Sequence, residues 1–171
     1  MQYRRAFVPG GTYFFTVVTA QRRPIFSDEG TVGLLRQAFL HVKKRRPFAV
    51  DAMVVLPDHL HCLWTLPSED SDYPIRWRLI KTHVTKHYGT AHDRQPHQTI
   101  WQPRYWEHTI RDETDYRQHV EYIHYNPVKH GHVRRPSEWP YSSFAHYVKK
   151  KIHSEDWGST VPMLDGHVGR E

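Results

Sequence analysis

The residues of this chain that could do chemistry lie far apart in sequence. His59 and His61 come first, in Leu56-Pro57-Asp58-His59-Leu60-His61-Cys62-Leu63-Trp64. In a strand, residues two apart share a face, so both imidazoles project together while Leu60, Cys62 and Trp64 turn the other way. Two neutral imidazoles held side by side on a sheet form a rigid pair of metal ligands. The same pair also suits two half-buried histidines bonded across a sheet, so the metal reading needs a third ligand and a reacting group. Asp58 is the only adjacent carboxylate. Its side chain should face away from both histidines or sit in the turn.

A third ligand and a reacting group occur together between Asp115 and Lys129. Tyr116, Val120, Ile123 and Tyr125 trace an apolar helical stripe that would dock on a sheet. Gln118, Tyr122 and Asn126 are spaced four apart and lie along another. The Asn126 amide is a neutral oxygen ligand of the kind magnesium or manganese accepts, one turn from the Tyr122 phenol. Such an ion would bind a phosphate oxygen and orient the phosphodiester for in-line attack by the phenol. A phenoxide leaves as readily as it attacks, so a phosphotyrosine would conserve the bond for rejoining. Tyrosines in helices more often serve the core. Pro127 also disfavours helical backbone at Asn126, which predicts a helix ending at Tyr125 with Asn126 placed by a turn.

The elements that must position these groups follow from patterning. Pro9-Gly10-Gly11 marks a turn before Thr12–Thr19, a β-branched and aromatic first strand. Asp28 or Ser27 can cap a helix through Val32, Leu34, Leu35, Phe39 and Val42. Phe48–Leu56 and His59–Leu66 read as a hairpin across Pro57-Asp58. A second helix starts at Asp70 or Ser71 and carries Trp77, Ile80 and Val84. Ile100-Trp101 and Trp106–Ile110 are short extended segments, and Asp112 or Thr114 caps the tyrosine helix. A short helix is expected within 141–151. The resulting order predicts an α+β fold, a ferredoxin-like (RRM-like) antiparallel sheet with helices packed mainly on one face. Residues 1–150 form the domain, and 151–171 a tail that is mobile or regulatory.

Composition narrows the partner. Lys and Arg outnumber Asp and Glu by 24 to 18 over 171 residues, a net +6 that favours a polyanion. No apolar run approaches a membrane span, and the N-terminal residues lack a signal core, which points to the cytoplasm, in association with the nucleoid. The single cysteine, Cys62, excludes an internal disulfide and a cysteine-based zinc site. Of the fifteen histidines, His124, His130 and His132 cluster in sequence and read as an adventitious metal binder.

Taken together, the histidine strand and the Tyr-x-x-x-Asn-Pro helix resemble the single-tyrosine HUH transposases, and among them the REP-associated tyrosine transposases. Pro9–Thr16, Leu56–His61, Tyr122–Lys129 and Trp139-Pro140-Tyr141-Ser142-Ser143 carry the resemblance, which spans about residues 3–147. It implies that His59, His61 and Asn126 hold a divalent metal, Mg or Mn, and that Tyr122 is the nucleophile. It further implies cleavage of single-stranded DNA hairpins (REP sequences) to a 5′-phosphotyrosine, followed by strand transfer, by a monomer or less readily a dimer.

Basic and aromatic residues offer a route for the strand, since cations fit phosphates and rings stack on unpaired bases. The candidates are Arg4, Arg5, Arg22, Arg23, Arg104, Trp106 and Lys129, with Arg76-Trp77-Arg78 as a further cluster. Two rivals stay open. A non-catalytic nucleic-acid-binding module or repressor of the same fold would tolerate Tyr122→Phe. A histidine-metal hydrolase would use water, although no carboxylate lies at helical spacing beside the histidine pair.

Overall fold

A computed structural model describes residues 5–91, 99–160 and 168. Four strands, β1 (Thr12–Val18), β2 (Ala49–Val55), β3 (His59–Thr65) and β4 (Trp106–Thr109), form one antiparallel sheet in the order β2-β3-β1-β4. Its helices are α1 (Glu29–Arg45), α2 (Tyr73–Ala91), α3 (Glu113–Lys129) and α4 (Phe144–Lys149). The antiparallel α+β plan expected from the sequence is the one observed.

Alternation along the central strands divides the core. Tyr13, Phe15 and Val17 of β1 join Leu60, Cys62 and Trp64 of β3 beneath α1 and α2. Asp28 caps α1, its carboxylate accepting from Thr31 N at 2.8 Å, and Lys43, Lys44 and Arg45 complement the dipole at the other end. Val32, Leu35, Phe39 and Val42 supply the α1 stripe, and Tyr73, Trp77, Ile80 and Val84 that of α2. At the centre Trp64 stacks on Trp77, with ring centroids 4.4 Å apart.

The charged cluster at the start of α2 is divided, with Arg78 exposed. Arg76 and Trp77 are fully buried. The Arg76 guanidinium donates to the carbonyls of Arg46, Pro47 and Asp72 and to the Asp70 carboxylate at 2.7 Å. A buried guanidinium is tolerable only with its donors filled, and this one ties three chain segments together.

On the opposite face Phe14, Ala52, Val54, Leu56 and Leu63 pack against Val120 and Ile123 of α3 and Tyr147 of α4. α1 and α2 thus share one face, and α3 and α4 cover the other. The reason is legible in β1, whose residues from Tyr13 to Val18 are buried on both faces. Asp112 caps α3 through Asp115 N at 2.9 Å. Contrary to the expected end at Tyr125, α3 runs on to Lys129 with Pro127 inside it. His130 N donates to Asn126 O at 3.0 Å, so the last turn closes although proline supplies no donor.

Two features fix the margins of the sheet. Gly10 has φ +68, and a Cβ there would lie 3.0 Å from the Ser68 backbone, which explains the glycine turn before β1. The outer edge of β2 is covered by residues 139–143. Val55 N donates to Tyr141 O (2.8 Å), Ser143 N to Met53 O (2.8 Å) and Trp139 Nε1 to Val55 O (2.9 Å). These bonds occupy an edge that would otherwise template strand pairing. The described part of the tail is docked: His153 stacks on Trp157 at 4.5 Å and on Phe144 at 5.6 Å.

A candidate catalytic site between the sheet and helix α3

Strand register builds the site. His61 lies opposite Thr16 on β1 and Val54 on β2, and His59 opposite Val18. The next residue along that transverse row, opposite Thr16, is Trp106 of β4. His59 and His61 therefore stand together on the α3 face, with centroids 5.0 Å apart and planes at 81°. Both are buried.

Each ring is held through its Nδ1. His59 Nδ1 lies 2.6 Å from Asp58 Oδ1, and His61 Nδ1 lies 2.9 Å from Thr16 Oγ1. That arrangement makes Nε2 the coordinating nitrogen of each imidazole, and second-neighbour bonds of this kind fix ring orientation. Asp58 sits in the β2–β3 turn, yet it does not face away from the pair, because its carboxylate grips His59. Burial raises the Asp58 carboxyl, but the bonds and charges of His59 and Arg22 outweigh that and hold it below its ordinary value. Arg22 reaches Asp58 Oδ2 at 3.1 Å from a left-handed backbone, φ +50, a strained conformation for a side chain of this size.

Helix α3 brings the remaining groups. The Tyr122 ring lies 5.2 Å from the His61 ring and 5.9 Å from Phe14, and is 3% exposed. Asn126, one turn on, is fully buried. His59 Nε2, His61 Nε2 and Asn126 Oδ1 are all withdrawn from solvent. Lys129 Nζ donates to the Tyr122 hydroxyl at 3.3 Å and lies 5.0 Å above its ring. His130, at the end of α3, sits 5.1 Å from His59.

The candidate strand-binding residues scatter. Lys129 is at the site itself, Trp106 borders it through an edge contact with Phe14 at 5.7 Å, and Arg22 joins it through Asp58. Arg23 is turned to the Ala20 and Thr99 carbonyls. Arg5 pairs with Glu107 at 3.4 Å and covers the Tyr105 ring, on the α1/α2 side of the sheet. Arg104 is exposed, and Arg4 lies outside the described residues. The sequence cluster of His124, His130 and His132 is divided. His124 is buried behind α3 against Ser143 (2.8 Å) and His153 (3.2 Å), and burial, with the His153 charge, pushes its pKa down to about 3.

Sequence reasoning missed Thr16, the grip of Asp58, and a second group of ligand-capable residues, His108, Asp115 and His119. Asp115 and His119 are four apart on a helix, which is a local signal. Thr16 and His108 enter only through the pairing of β1 with β3 and β4.

Among the described residues no helix is long and apolar enough to cross a membrane. Residues 8–126 match the family described as "Transposase IS200 like". A REP-associated tyrosine transposase of Escherichia coli (strain K12) is 46% identical over 160 residues, covering 94% of this chain and 92% of its own length. A Haemophilus influenzae protein given that same name provisionally is 41% identical over 168 residues, covering 94% of this chain and 95% of its own. A solved structure of a REP-associated tyrosine transposase bound to a REP hairpin superposes with a TM-score of 0.87 at 44% identity, covering 100% of this chain and 98% of that one.

Proposed function

The chain belongs to the IS200-like transposases, in the branch of REP-associated tyrosine transposases, and is an enzyme; from that membership we propose that it cleaves and rejoins single-stranded REP-type DNA hairpins at the nucleoid through a 5′-phosphotyrosine on Tyr122. What supports this reading is that the Tyr122 ring stands 5.2 Å from the His61 ring, with His59 Nε2, His61 Nε2 and Asn126 Oδ1, one helical turn beyond Tyr122, all withdrawn from solvent.

That donor set fits a divalent ion such as Mn or Mg, with two imidazole nitrogens and an amide oxygen. When bound, the ion would polarise a non-bridging phosphate oxygen and offset the charge that develops on it. The protein's own groups account for the rest. Asp58 and Thr16 fix the two imidazoles so that no reorganisation is needed at the moment of reaction. Tyr122 Oη attacks phosphorus in line; the P–Oη bond forms as the bond to the leaving 3′ oxygen breaks, and the proton lost by the phenol is matched by one that the departing oxygen takes up to become a 3′-hydroxyl. Lys129 holds a positive charge beside Oη, which favours the phenoxide and keeps it aimed. Return attack by a 3′-hydroxyl releases Tyr122 and completes strand transfer.

The test uses labelled single-stranded hairpins taken from repeats flanking the gene, with manganese or magnesium, resolved on a denaturing gel. A DNA-linked protein band lost both in Tyr122→Phe and under chelation is the expected result. Cleavage that survives Tyr122→Phe would remove the nucleophile assignment. Tight binding without cleavage of any hairpin would put the binding-module reading first.

A further inference from the structure

Beyond Phe14 from the catalytic site lies a second convergence of ligand-capable side chains. The Phe14 ring that borders His61 at 5.5 Å and Tyr122 at 5.9 Å also borders His119 at 4.7 Å. His119 and Asp115 project from α3 and His108 from β4, and each offers one ligand atom within 4.8 Å of the others. Asp115 and His119 are buried, and His108 is 24% exposed at the side chain.

The bonds within the cluster suit coordination. His119 Nδ1 donates to the Asp115 carbonyl at 2.7 Å, which puts the lone pair on Nε2. An imidazole tethered to a backbone carbonyl in this way is oriented as metal-ligating histidines are. The two rings stack with centroids 4.8 Å apart. Asp115 Oδ2 accepts from His108 Nε2 (2.8 Å) and from Arg111 N (2.9 Å), and Oδ1 lies 3.1 Å from His119 Nδ1. Arg111, through its N and its Nε (3.3 Å), and His108 thus share Oδ2, while Oδ1 faces His119.

We propose that His108, Asp115 and His119 form a second divalent-metal site, of zinc-binding character, that ties edge strand β4 to the first turns of the helix carrying Tyr122. Two histidines with one carboxylate are a zinc donor set, whereas the pair with Asn126 substitutes a neutral amide for the carboxylate. The two sites share no residue, so this inference stands apart from the roles given to His59 and His61.

Binding of zinc to the full chain, stripped of metal and followed by competition with a chromogenic chelator, tests it. His59→Gln/His61→Gln should retain one tight equivalent and a zinc-dependent rise in melting temperature. Adding His108→Gln or Asp115→Asn to that background should abolish both. Scattered surface histidines would bind zinc equally in all variants and cancel in the comparison. His108→Gln, at the most exposed member, guards against loss of fold in Asp115→Asn. A tight equivalent and melting shift that persist through both additions would overturn the proposal. So would their absence from the His59→Gln/His61→Gln background, which would make the cluster a metal-free brace. Loss of zinc from that background alone would leave the catalytic reading intact.

Discussion

The two faces of the sheet are built from alternate residues of the same two central strands and serve opposite ends. Beneath α1 and α2, Tyr13, Phe15, Cys62 and Trp64 belong to the larger apolar cluster of rings and aliphatic chains, the Tyr13 hydroxyl bonding the Val8 backbone. One residue along each strand, Thr16, His59 and His61 are as deeply buried, but under α3, with the Tyr122 ring 5.2 Å from His61. Burying polar groups costs stability unless each is bonded, so the α3 face is the less stabilising of the two. Under the proposed function, the difference teaches that stability rests mainly on one side and the chemistry lies on the other. Functional groups can then be packed rigidly without the fold depending on them.

Substitutions should divide along the same line. Tyr122→Phe is expected to lower strand cleavage by at least about 1,000-fold, as loss of a nucleophile does, while circular-dichroism melting barely moves. A large melting shift in that variant would break the comparison. Trp64→Ala, across the sheet, empties the space against Trp77, Phe48 and Phe15 and should cost about 3–5 kcal/mol in urea denaturation.

Asp70→Asn weakens the bond to buried Arg76 and should cost about 2 kcal/mol at neutral pH. The Arg76 hydrogen bond is the main reason the Asp70 carboxyl lies below its ordinary 3.8. The folded chain thus binds that proton less readily than the unfolded chain. The stability involved is complete above 3.8 and is lost as pH falls through the lower folded value. Acid denaturation of Asp70→Asn should lack this component; an unchanged acid limb would count against it.

On the α3 face, Asp58→Asn should weaken manganese binding by about tenfold or more through a less firmly oriented His59, read by isothermal titration, with little change in melting. The smallest effect is that of Lys129→Gln. Cleavage should slow about tenfold, as for one charged hydrogen bond in the transition state, with hairpin affinity in a filter assay nearly unchanged. Loss of affinity with an unaltered rate would return Lys129 to the role of a phosphate contact.

Much of this plan was legible because it is local. The alternation in His59-Leu60-His61-Cys62 assigned each side chain to its face, and the cap candidates Ser27 or Asp28 and Asp112 or Thr114 located two helices. Tyr122 and Asn126 fell on one helical stripe by spacing alone. What escaped depends on chain segments that meet only after folding. The bond from Thr16 to His61 requires the register of β1 on β3, and His108 meets Asp115 only because β4 pairs with β1. Pro127 misled for another reason: its preference acts on local backbone, and the packing of Val120 and Ile123 on the sheet, with closure of the last turn by His130, overrides it.

The row from Val54 through His61 and Thr16 to Trp106 has a consequence for how such a gene can vary. Side-chain direction alternates with every residue, so inserting or deleting one residue within β3 would not blur the site but invert it. Leu60 and Cys62 would take the places of the histidines, and the imidazoles would enter the apolar layer. Length changes among descendants of this chain should therefore be confined to the connections between elements. A homologue with an odd-numbered indel inside the third strand is expected to be an inactive relic.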